Sequence, residues 1–314
     1  MKKRIFFILG MMILLSACGK ESKKEVIKIG ISQIVEHPSL DRIRQGIIDG
    51  LANEGYKDGE NIKINFQNAQ GEMATAQLIA KNFDDNEDVI VAITTPSAQA
   101  SLNATKEKPI FFSAVTDPIS AGLLGENITG TSDATPIEKQ IELAIKLLGK
   151  IENIGIVYNI GEANSQVQVD KVKELEEKYS FKLKLIGINS VNEISQGLDS
   201  LLGQVDLLYT PIDNLLASSY PLIVRKASEK NIPILGAVDE FVHKGAFATE
   251  GINQYNIGIQ TANMIVRHLK DKVKLVDMPF ETIENTDLVI NQKVLEAMGI
   301  SLSEDLKNRA ILVN

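Results

Sequence analysis

The sequence predicts an α/β fold made of two units, each with a parallel sheet and helices on both faces. Short apolar runs with strand character alternate along the chain with segments whose apolar residues recur at helical spacing. The run Val89–Ile93 is apolar throughout, which is typical of a strand buried on both faces. The alternation restarts after a turn-rich segment at 127–136, so we expect a second unit of similar size.

The first unit is predicted to extend from residue 26 to residue 133. Its strands are expected at 26–31, 61–66, 89–93 and 110–112, and its helices at 40–54, 73–83 and 98–105. Gly55 ends the first helix, because glycine readily adopts the left-handed conformation found at helix C-termini. The segment 128–133 is rich in turn formers, and we expect it to be the first crossing between the units.

The second unit begins at Pro136, which opens a helix that Gly149 closes. Strands are then expected at 154–158, 181–186, 205–209 and 232–235, and helices at 165–178, 191–202 and 214–230. A further helix at 256–269 carries an apolar stripe, and we expect it to pack against the first unit.

The N-terminus has the pattern of a bacterial export signal. A basic start precedes an apolar run at 5–15 that is too short to span a bilayer. The sequence LSAC at 15–18 resembles the lipobox of bacterial lipoproteins, in which the cysteine becomes the lipidated N-terminus. The alternative is an ordinary secretory signal followed by an incidental thiol, but an exported protein has little use for a lone cysteine. We therefore predict a signal peptide at 1–17, lipidation of Cys18 and a polar tether at 18–25.

The composition narrows the function classes. Of 314 residues, 44% are hydrophobic and 24% are charged, which is an ordinary globular composition. The formal net charge is −8 and Lys and Arg are not clustered, so nucleic acid is not expected as a partner. We expect a globular body held to the outer face of a membrane by acyl chains.

Small hydroxyl residues stand where two successive strands of the first unit end. Thr95 and Ser97 follow the third strand, and Ser113 and Thr116 follow the fourth, with Asp117 beside them. In an open α/β sheet the carboxyl ends of the strands border the ligand crevice, and the next helix directs free N–H groups into it. Such groups suit a carboxylate. Each residue could instead cap a helix, but two such strand ends together favour a ligand site.

The strand ends of the second unit are also polar. Asp213 and Asn214 follow its third strand, and Asp239 follows its fourth. Two facing units with polar strand ends predict a ligand held between them. Helix capping is the alternative role for both aspartates. Gln33, at the end of the first strand of the chain, is a further candidate for the rim of the site.

Four segments and the order of the two units resemble a known family. The segments are HPSLD at 37–41, NAQG at 68–71, FSAVTDP at 112–118 and INQKVLEAMGI at 290–300. They resemble the ABC-transporter substrate-binding proteins that include tryptophan- and tyrosine-binding lipoproteins, and the resemblance extends from residue 26 to the C-terminus.

The resemblance implies a type I periplasmic-binding-protein fold, in which two Rossmann-like lobes are joined by a three-crossing hinge and close around one small molecule. On this pattern the crossings are expected near Asp133, at 249–252 and near Met278. The N-terminal lobe would then comprise 26–133 plus 252–277, and the C-terminal lobe 134–251 plus 278–314.

The resemblance also implies a function. We expect an extracytoplasmic, lipid-anchored monomer that delivers a small molecule to an ABC permease and needs no cofactor or metal. The resemblance narrows the ligand to an aromatic amino acid, tryptophan or tyrosine. We expect Thr95, Ser97 and Thr116 to hold its carboxylate. Asp239 is expected to pair with its ammonium, because this fold sets an acid across the cleft at that position. The second choices for ligand contact are Asp213, Asn214 and Gln33.

Two alternatives stay open at this point. The protein could be the ligand-binding subunit of an extracytoplasmic sensor rather than of a transporter. It could also be an exported two-lobed enzyme, although the sequence lacks the G-x-S-x-G, Walker, G-x-G-x-x-G and H-E-x-x-H motifs. Its three histidines are far apart in the sequence, which argues against a histidine metal site.

Overall fold

The computed structural model describes residues 26–314, which form two α/β lobes with one sheet each. The expected signal peptide at 1–17, the tether at 18–25 and the lipidation site Cys18 lie outside the described residues. The two sheets confirm the predicted α/β architecture. Within residues 26–314, no helix combines the length and the apolar character that crossing a membrane requires.

The first lobe contains the N-terminal part of the chain and two elements that return to it later. Its elements are β1 (Ile27–Gln33), α1 (Pro38–Asn53), β2 (Ile62–Asn68), α2 (Met73–Asn86), β3 (Val89–Ile93), α3 (Thr95–Ala104), β4 (Ile110–Val115), β5 (Ile128–Ser132), α11 (Gln254–Asp271) and β11 (Glu281–Thr282). The sheet order is β11-β5-β4-β3-β1-β2. All its neighbouring strands are parallel.

The second lobe contains the other helices and strands of the described chain. Its elements are α4 (Ile137–Leu148), β6 (Asn153–Asn159), α5 (Ala163–Glu174), α6 (Glu176–Tyr179), β7 (Lys182–Ile188), α7 (Val191–Leu201), β8 (Leu207–Thr210), α8 (Asn214–Ser218), α9 (Tyr220–Glu229), β9 (Ile234–Gly236), α10 (Asp239–His243), β10 (Ala248–Gly251), β12 (Asp287–Asn291), α12 (Gln292–Ala297), α13 (Glu304–Arg309) and β13 (Ile311–Val313). The sheet order is β13-β12-β10-β9-β8-β6-β7, and β12 runs antiparallel to β10.

Helix α11 is held to the first lobe by a close contact with α1. A Cβ atom at Gly46 would lie 2.2 Å from the backbone oxygen of Tyr255, and one at Gly258 would lie 2.1 Å from that of Ile43. The two helices therefore pack backbone against backbone, which only glycine permits at these positions. This packing anchors the segment that follows the second crossing.

The chain crosses between the lobes after β5, after β10 and after β11. The third crossing lies later than the expected Met278, because the chain stays in the first lobe until β11 has paired with β5. Two contacts keep it there. The Thr129 hydroxyl donates to the Met278 carbonyl at 2.7 Å, and the Gln260 amide donates to Glu281 at 2.7 Å.

Gln140 fastens the first two crossings to the second lobe. Its buried amide nitrogen donates to the Thr135 hydroxyl and to the Glu250 carbonyl, each at 2.8 Å, and its oxygen accepts from the Tyr209 hydroxyl at 2.9 Å. Because Thr135 follows the first crossing and Glu250 precedes the second, one side chain fixes both segments on the same lobe.

Two predicted helices of the second lobe are divided. The region 214–230 forms α8 and α9, which are separated at Ser219 because Pro221 cannot donate a backbone hydrogen bond. The region 165–178 begins earlier than predicted and divides into α5 and α6 at Leu175. The short elements α10, β12, α12, α13 and β13 were not predicted, because none is long enough to show a clear periodicity.

Candidate ligand-binding site

A cavity lies between the lobes, where the carboxyl ends of both sheets face each other. The first lobe and the hinge contribute mainly polar side chains, namely His37, Ser39, Thr94, Thr95, Thr116, Asp133 and Gln254. The second lobe contributes Asn164, Asp213 and Asn214 together with the apolar Ile212, Ala217, Val238 and Phe241.

The backbone turns sharply at the two strand ends that border the cavity. Thr94, at the end of β3, has φ +81°, and Ala114, within β4, has φ +57°. Non-glycine residues seldom adopt these left-handed conformations, which cost about 1–3 kcal/mol each. The Thr94 amide donates to the Ser113 carbonyl at 2.9 Å, which ties the two strand ends together. Strained backbone concentrated beside a cavity is typical of a binding site.

Four polar side-chain atoms at the cavity are buried and have no hydrogen-bond partner within the described residues. They are the hydroxyls of Ser39, Thr94 and Thr95 and the amide oxygen of Asn164. A buried polar group without a partner costs about 1–3 kcal/mol. Four such atoms around one cavity indicate a polar ligand that supplies the missing bonds.

The orientation of the Asn164 amide follows from its neighbours. Its nitrogen donates to the Glu162 carboxylate at 3.0 Å and to the Ile212 carbonyl at 2.9 Å. Both partners can only accept, so the amide oxygen must be the atom that faces the cavity. Asn164 therefore offers the ligand an acceptor.

Asp133 is a buried carboxylate on the first crossing, and it borders the cavity. The Thr116 hydroxyl donates to its Oδ1 at 3.0 Å. Burial raises the pKa of Asp133 to about 6, against the opposing effect of the Thr116 hydrogen bond. A buried acid with one modest partner can accept a cationic group from a ligand.

Asp213 also borders the cavity, but both of its oxygens are already occupied. They accept from the Asn159 amide at 2.7 Å, the Ser165 hydroxyl at 2.8 Å and the Leu216 amide at 3.0 Å. Burial and the nearby Glu162 raise its pKa. Asp213 is thus the N-cap of α8, the alternative role considered for it. The Asn214 side chain likewise donates to Glu162 at 2.6 Å.

Asp239 does not line the cavity. Its Oδ1 lies 2.9 Å from Nη2 of Arg42, and the same guanidinium lies 3.6 Å from Glu240. Because Arg42 belongs to α1 and the two acids to α10, these ion pairs join the lobes. Lys244 makes a further contact across the cleft, with its Nζ 2.9 Å from Nε2 of His37.

The remaining expected site residues, Gln33, Ser97, Ser113 and Asp117, do not line the cavity. Gln33 is bonded to Arg44, Asp41 and the Val35 carbonyl. Ser113 shares a buried bond of 2.7 Å with Thr261 in the core of the first lobe. Asp117 accepts from two amides of the turn that follows it. The Ser97 hydroxyl is buried without a partner, but it does not border the cavity. Of the nine expected positions, Thr95, Thr116, Asp213 and Asn214 line the space.

Five lining residues with free or weakly paired polar atoms were not assigned a ligand role from the sequence. One of them is Gln254, whose side-chain amide donates to the Ile252 carbonyl at 3.2 Å. Ser39 lies in the HPSLD segment and Thr94 precedes Thr95, so a wider reading of both strand ends would have included them. Asn164 follows the polar end of β6 by five residues. Asp133 was expected only as a hinge position, and its contact with Thr116 depends on the pairing of β4 with β5.

Two lobes joined by three crossings and closed over a small polar cavity define a solute-binding protein of the type I periplasmic-binding-protein fold. The family model described as "ABC transporter substrate binding protein" matches residues 28–313. The chain therefore belongs to the family of ABC transporter substrate-binding proteins, whose members work outside the cytoplasm. This confirms the family, fold and general function that the sequence resemblance implied.

Three relatives illustrate the family. The tyrosine-binding protein of Clostridioides difficile (strain R20291) is 43% identical over 294 residues, which cover 91% of this chain and 85% of the relative. A Streptococcus pneumonia structure in complex with L-Trp is 36% identical, with a TM-score of 0.89 and coverage of 92% and 100%. A ligand-free, open structure of a substrate-binding protein with adhesive properties from Clostridium difficile is 44% identical, with a TM-score of 0.71 and coverage of 92% and 99%.

The similarity scores also bear on the arrangement of the lobes. The open structure is more similar in sequence than the L-Trp complex, yet it superposes less well. The chain therefore superposes better on the L-Trp complex than on the open structure. Together with the ion pairs of Arg42 across the cleft, it indicates a closed arrangement.

Proposed function

We propose that this protein captures an aromatic amino acid, tyrosine or tryptophan, between its lobes and delivers it to an ABC permease. The observation that carries the proposal is that the cavity is lined by both hydrogen-bond donors and acceptors whose bonding is incomplete. The free hydroxyls of Thr94 and Thr95 stand at the start of α3, and two acceptors, Asp133 and the Asn164 oxygen, belong to the first crossing and to α5. An amino-acid head group needs this combination, because its carboxylate accepts hydrogen bonds and its ammonium donates them.

The carboxylate is assigned to the beginning of α3. The hydroxyls of Thr94 and Thr95 are unpartnered there, and a helix of ten residues presents its first amides and positive dipole end in the same place. Ser97 takes part only through its backbone amide in this arrangement, since its hydroxyl does not border the cavity.

The ammonium is assigned to Asp133 and to the Asn164 oxygen. Thr116, which was expected to bind the carboxylate, instead positions Asp133 through its 3.0 Å hydrogen bond. Asp239, which was expected to pair with the ammonium, is not assigned this role here, because its carboxylate pairs with Arg42 outside the cavity. A buried, ionised pair between Asp133 and the ligand explains why an acid is kept in a dry site.

The aromatic side chain is assigned to the apolar part of the cavity formed by Leu40, Val238 and Phe241. The names of the relatives support this choice, since one is called tyrosine-binding and another was solved with L-Trp.

The proposed attachment to the membrane is a lipid on Cys18, which would hold a monomer beside its permease on the extracytoplasmic face.

A binding role without catalysis is proposed. Ser39 and His37 are neighbours at the cavity, but the His37 ring accepts from the Ser39 amide at 3.3 Å, and the hydroxyl is not bonded to it. The relatives are named as binding proteins.

Calorimetric titration against the twenty amino acids, nucleosides and short peptides tests the proposal. We expect saturable binding of tyrosine or tryptophan with the ligand recovered unchanged. Tight binding of a compound without an amino-acid head group, or chemical conversion of the ligand, would overturn it.

A further inference from the structure

One free hydroxyl belongs to the first turn of α1, which begins beside the Phe241 ring. Leu40 on α1 lines the cavity, and so do Val238 and Phe241 of the second lobe. Phe241 is fixed from two sides, by Tyr220 stacked at 4.2 Å and by the ring of His37 edge-on at 6.2 Å. Ser39 lies beside Leu40 in the first turn of α1, and its hydroxyl is buried without a partner.

The position of Ser39 relative to Phe241 follows from the contacts between α1 and α10. Arg42, one turn beyond Ser39, is 2.9 Å from Asp239 at the start of α10. The first turn of α1 therefore faces Val238 and Phe241 across the cleft. The groups assigned to the head group come from other elements, namely the start of α3, the first crossing and α5.

The Ser39 hydroxyl is not needed to close its own helix. The His37 ring accepts from the Ser39 amide, and the Asp41 amide donates to the His37 carbonyl at 3.0 Å, so the N-terminal turn is complete without it. A hydroxyl that is buried and left unbonded is costly, unless a bound molecule completes it.

On the basis of the proposed aromatic amino-acid ligand, we propose that Ser39 is a specificity-determining residue. Its oxygen accepts a hydrogen bond from the polar group of the ligand ring, the phenol O–H of tyrosine or the indole N–H of tryptophan. Phenylalanine has no such donor and would leave the hydroxyl unpaired in a closed site. A site built to bond a ligand hydroxyl discriminates strongly against the analogue that lacks it.

The test compares the affinities for tyrosine, tryptophan and phenylalanine in wild type and in Ser39→Ala by calorimetry. Wild type should prefer tyrosine or tryptophan to phenylalanine by at least about tenfold. In Ser39→Ala the affinity for the preferred ligand should fall about tenfold while that for phenylalanine is unchanged or higher, so that the preference largely disappears. Alanine suits a helical turn, and a thermal melt verifies the fold.

Ser32→Ala is the matched control. The Ser32 hydroxyl is also buried and unpartnered, but it does not border the cavity, so its removal should leave the preference intact. An unchanged preference in Ser39→Ala, an equal loss for all three ligands, or equal affinities of wild type for tyrosine, tryptophan and phenylalanine would each overturn the proposal. Failure of wild type to bind any of the three would overturn the proposed function itself, and this inference with it.

Discussion

At the scale of single residues, ammonium recognition in the proposed site depends on Asp133. Asp133→Asn leaves the bound ammonium without an ionised partner in a dry site, which should cost about 3–5 kcal/mol, or more than a hundredfold in affinity. Its melting temperature should stay close to that of wild type, because the substitution also removes a carboxylate that is costly to bury. Calorimetry and thermal melts measure the two effects.

Asp239→Asn is the matched control for this prediction, because Asp239 pairs with Arg42 outside the cavity. Its affinity should change by much less. The opposite result would contradict this assignment. If Asp239→Asn loses more than a hundredfold in affinity and Asp133→Asn binds normally, the ammonium partner is Asp239.

The pH dependence of binding provides a second test of Asp133. In the closed structure burial raises the pKa of Asp133 to about 6, so its carboxyl is ionised above that pH and pairs with an ammonium directly. Below pH 6 the ligand must displace a proton, and the Kd should rise by up to about tenfold per pH unit. Below pH 6 the free energy of unfolding of the ligand-free protein should gain a contribution from Asp133 as the pH falls. The reason is that the raised pKa makes Asp133 easier to protonate in the folded than in the unfolded state.

Calorimetry from pH 8 to pH 5 measures this dependence, and Asp133→Asn separates it from other groups. Asp213 is also buried with a raised pKa, whereas burial and the charges of Lys244 and Arg42 lower the pKa of His37 to about 3, which keeps that ring neutral. The remaining affinity of Asp133→Asn should vary little between pH 7 and pH 5. If the affinity of Asp133→Asn falls as steeply with pH as that of wild type, another titrating group causes the pH dependence.

At the scale of elements, the contact between α1 and α10 is expected to stabilise the closed state. Arg42 reaches two acids of α10, and its side chain is 37% exposed, so the gain is moderate. Arg42→Ala should shift the population toward the open state and raise the Kd several-fold, mainly through faster ligand dissociation. Stopped-flow measurements with the preferred ligand follow this rate.

Arg44→Ala is the control on the same helix. Arg44 pairs with Asp41 and Gln33 within the first lobe and stacks on Phe66, so it makes no contact across the cleft. Its dissociation rate should match that of wild type. Equal rates in all three proteins would show that the ion pairs do not contribute to closure.

The strand ends were predictable as the location of the site, but the partners of each side chain were not. Periodicity and turn formers are local signals, and they identified β3, β4 and β8 and the polar residues after them. Whether an acid is free depends on residues distant in sequence. Asp239 is engaged by Arg42, 197 positions away, and Asp213 by the Asn159 amide, 54 positions away. Neither contact leaves a pattern in a single sequence.

At the scale of the whole molecule, anchoring is predicted to reside in Cys18, outside the described residues. Cys18→Ala should release the protein from membranes, because one or two acyl chains provide the attachment. The lobes should melt as in wild type, since their described cores are built from residues 29–306. Detergent partitioning of the expressed protein measures the attachment, and its persistence in Cys18→Ala would refute lipidation at this residue.

The central claim is that an aromatic amino acid binds between the lobes and closes them. Small-angle X-ray scattering of the ligand-free protein, before and after saturation with tyrosine or tryptophan, tests it most directly. Because the ligand contacts both lobes, it should shift the population to the closed state and reduce the radius of gyration. Asp133→Asn at the same ligand concentration should remain as extended as the free protein. Calorimetric saturation of wild type without any decrease in the radius of gyration would contradict the account.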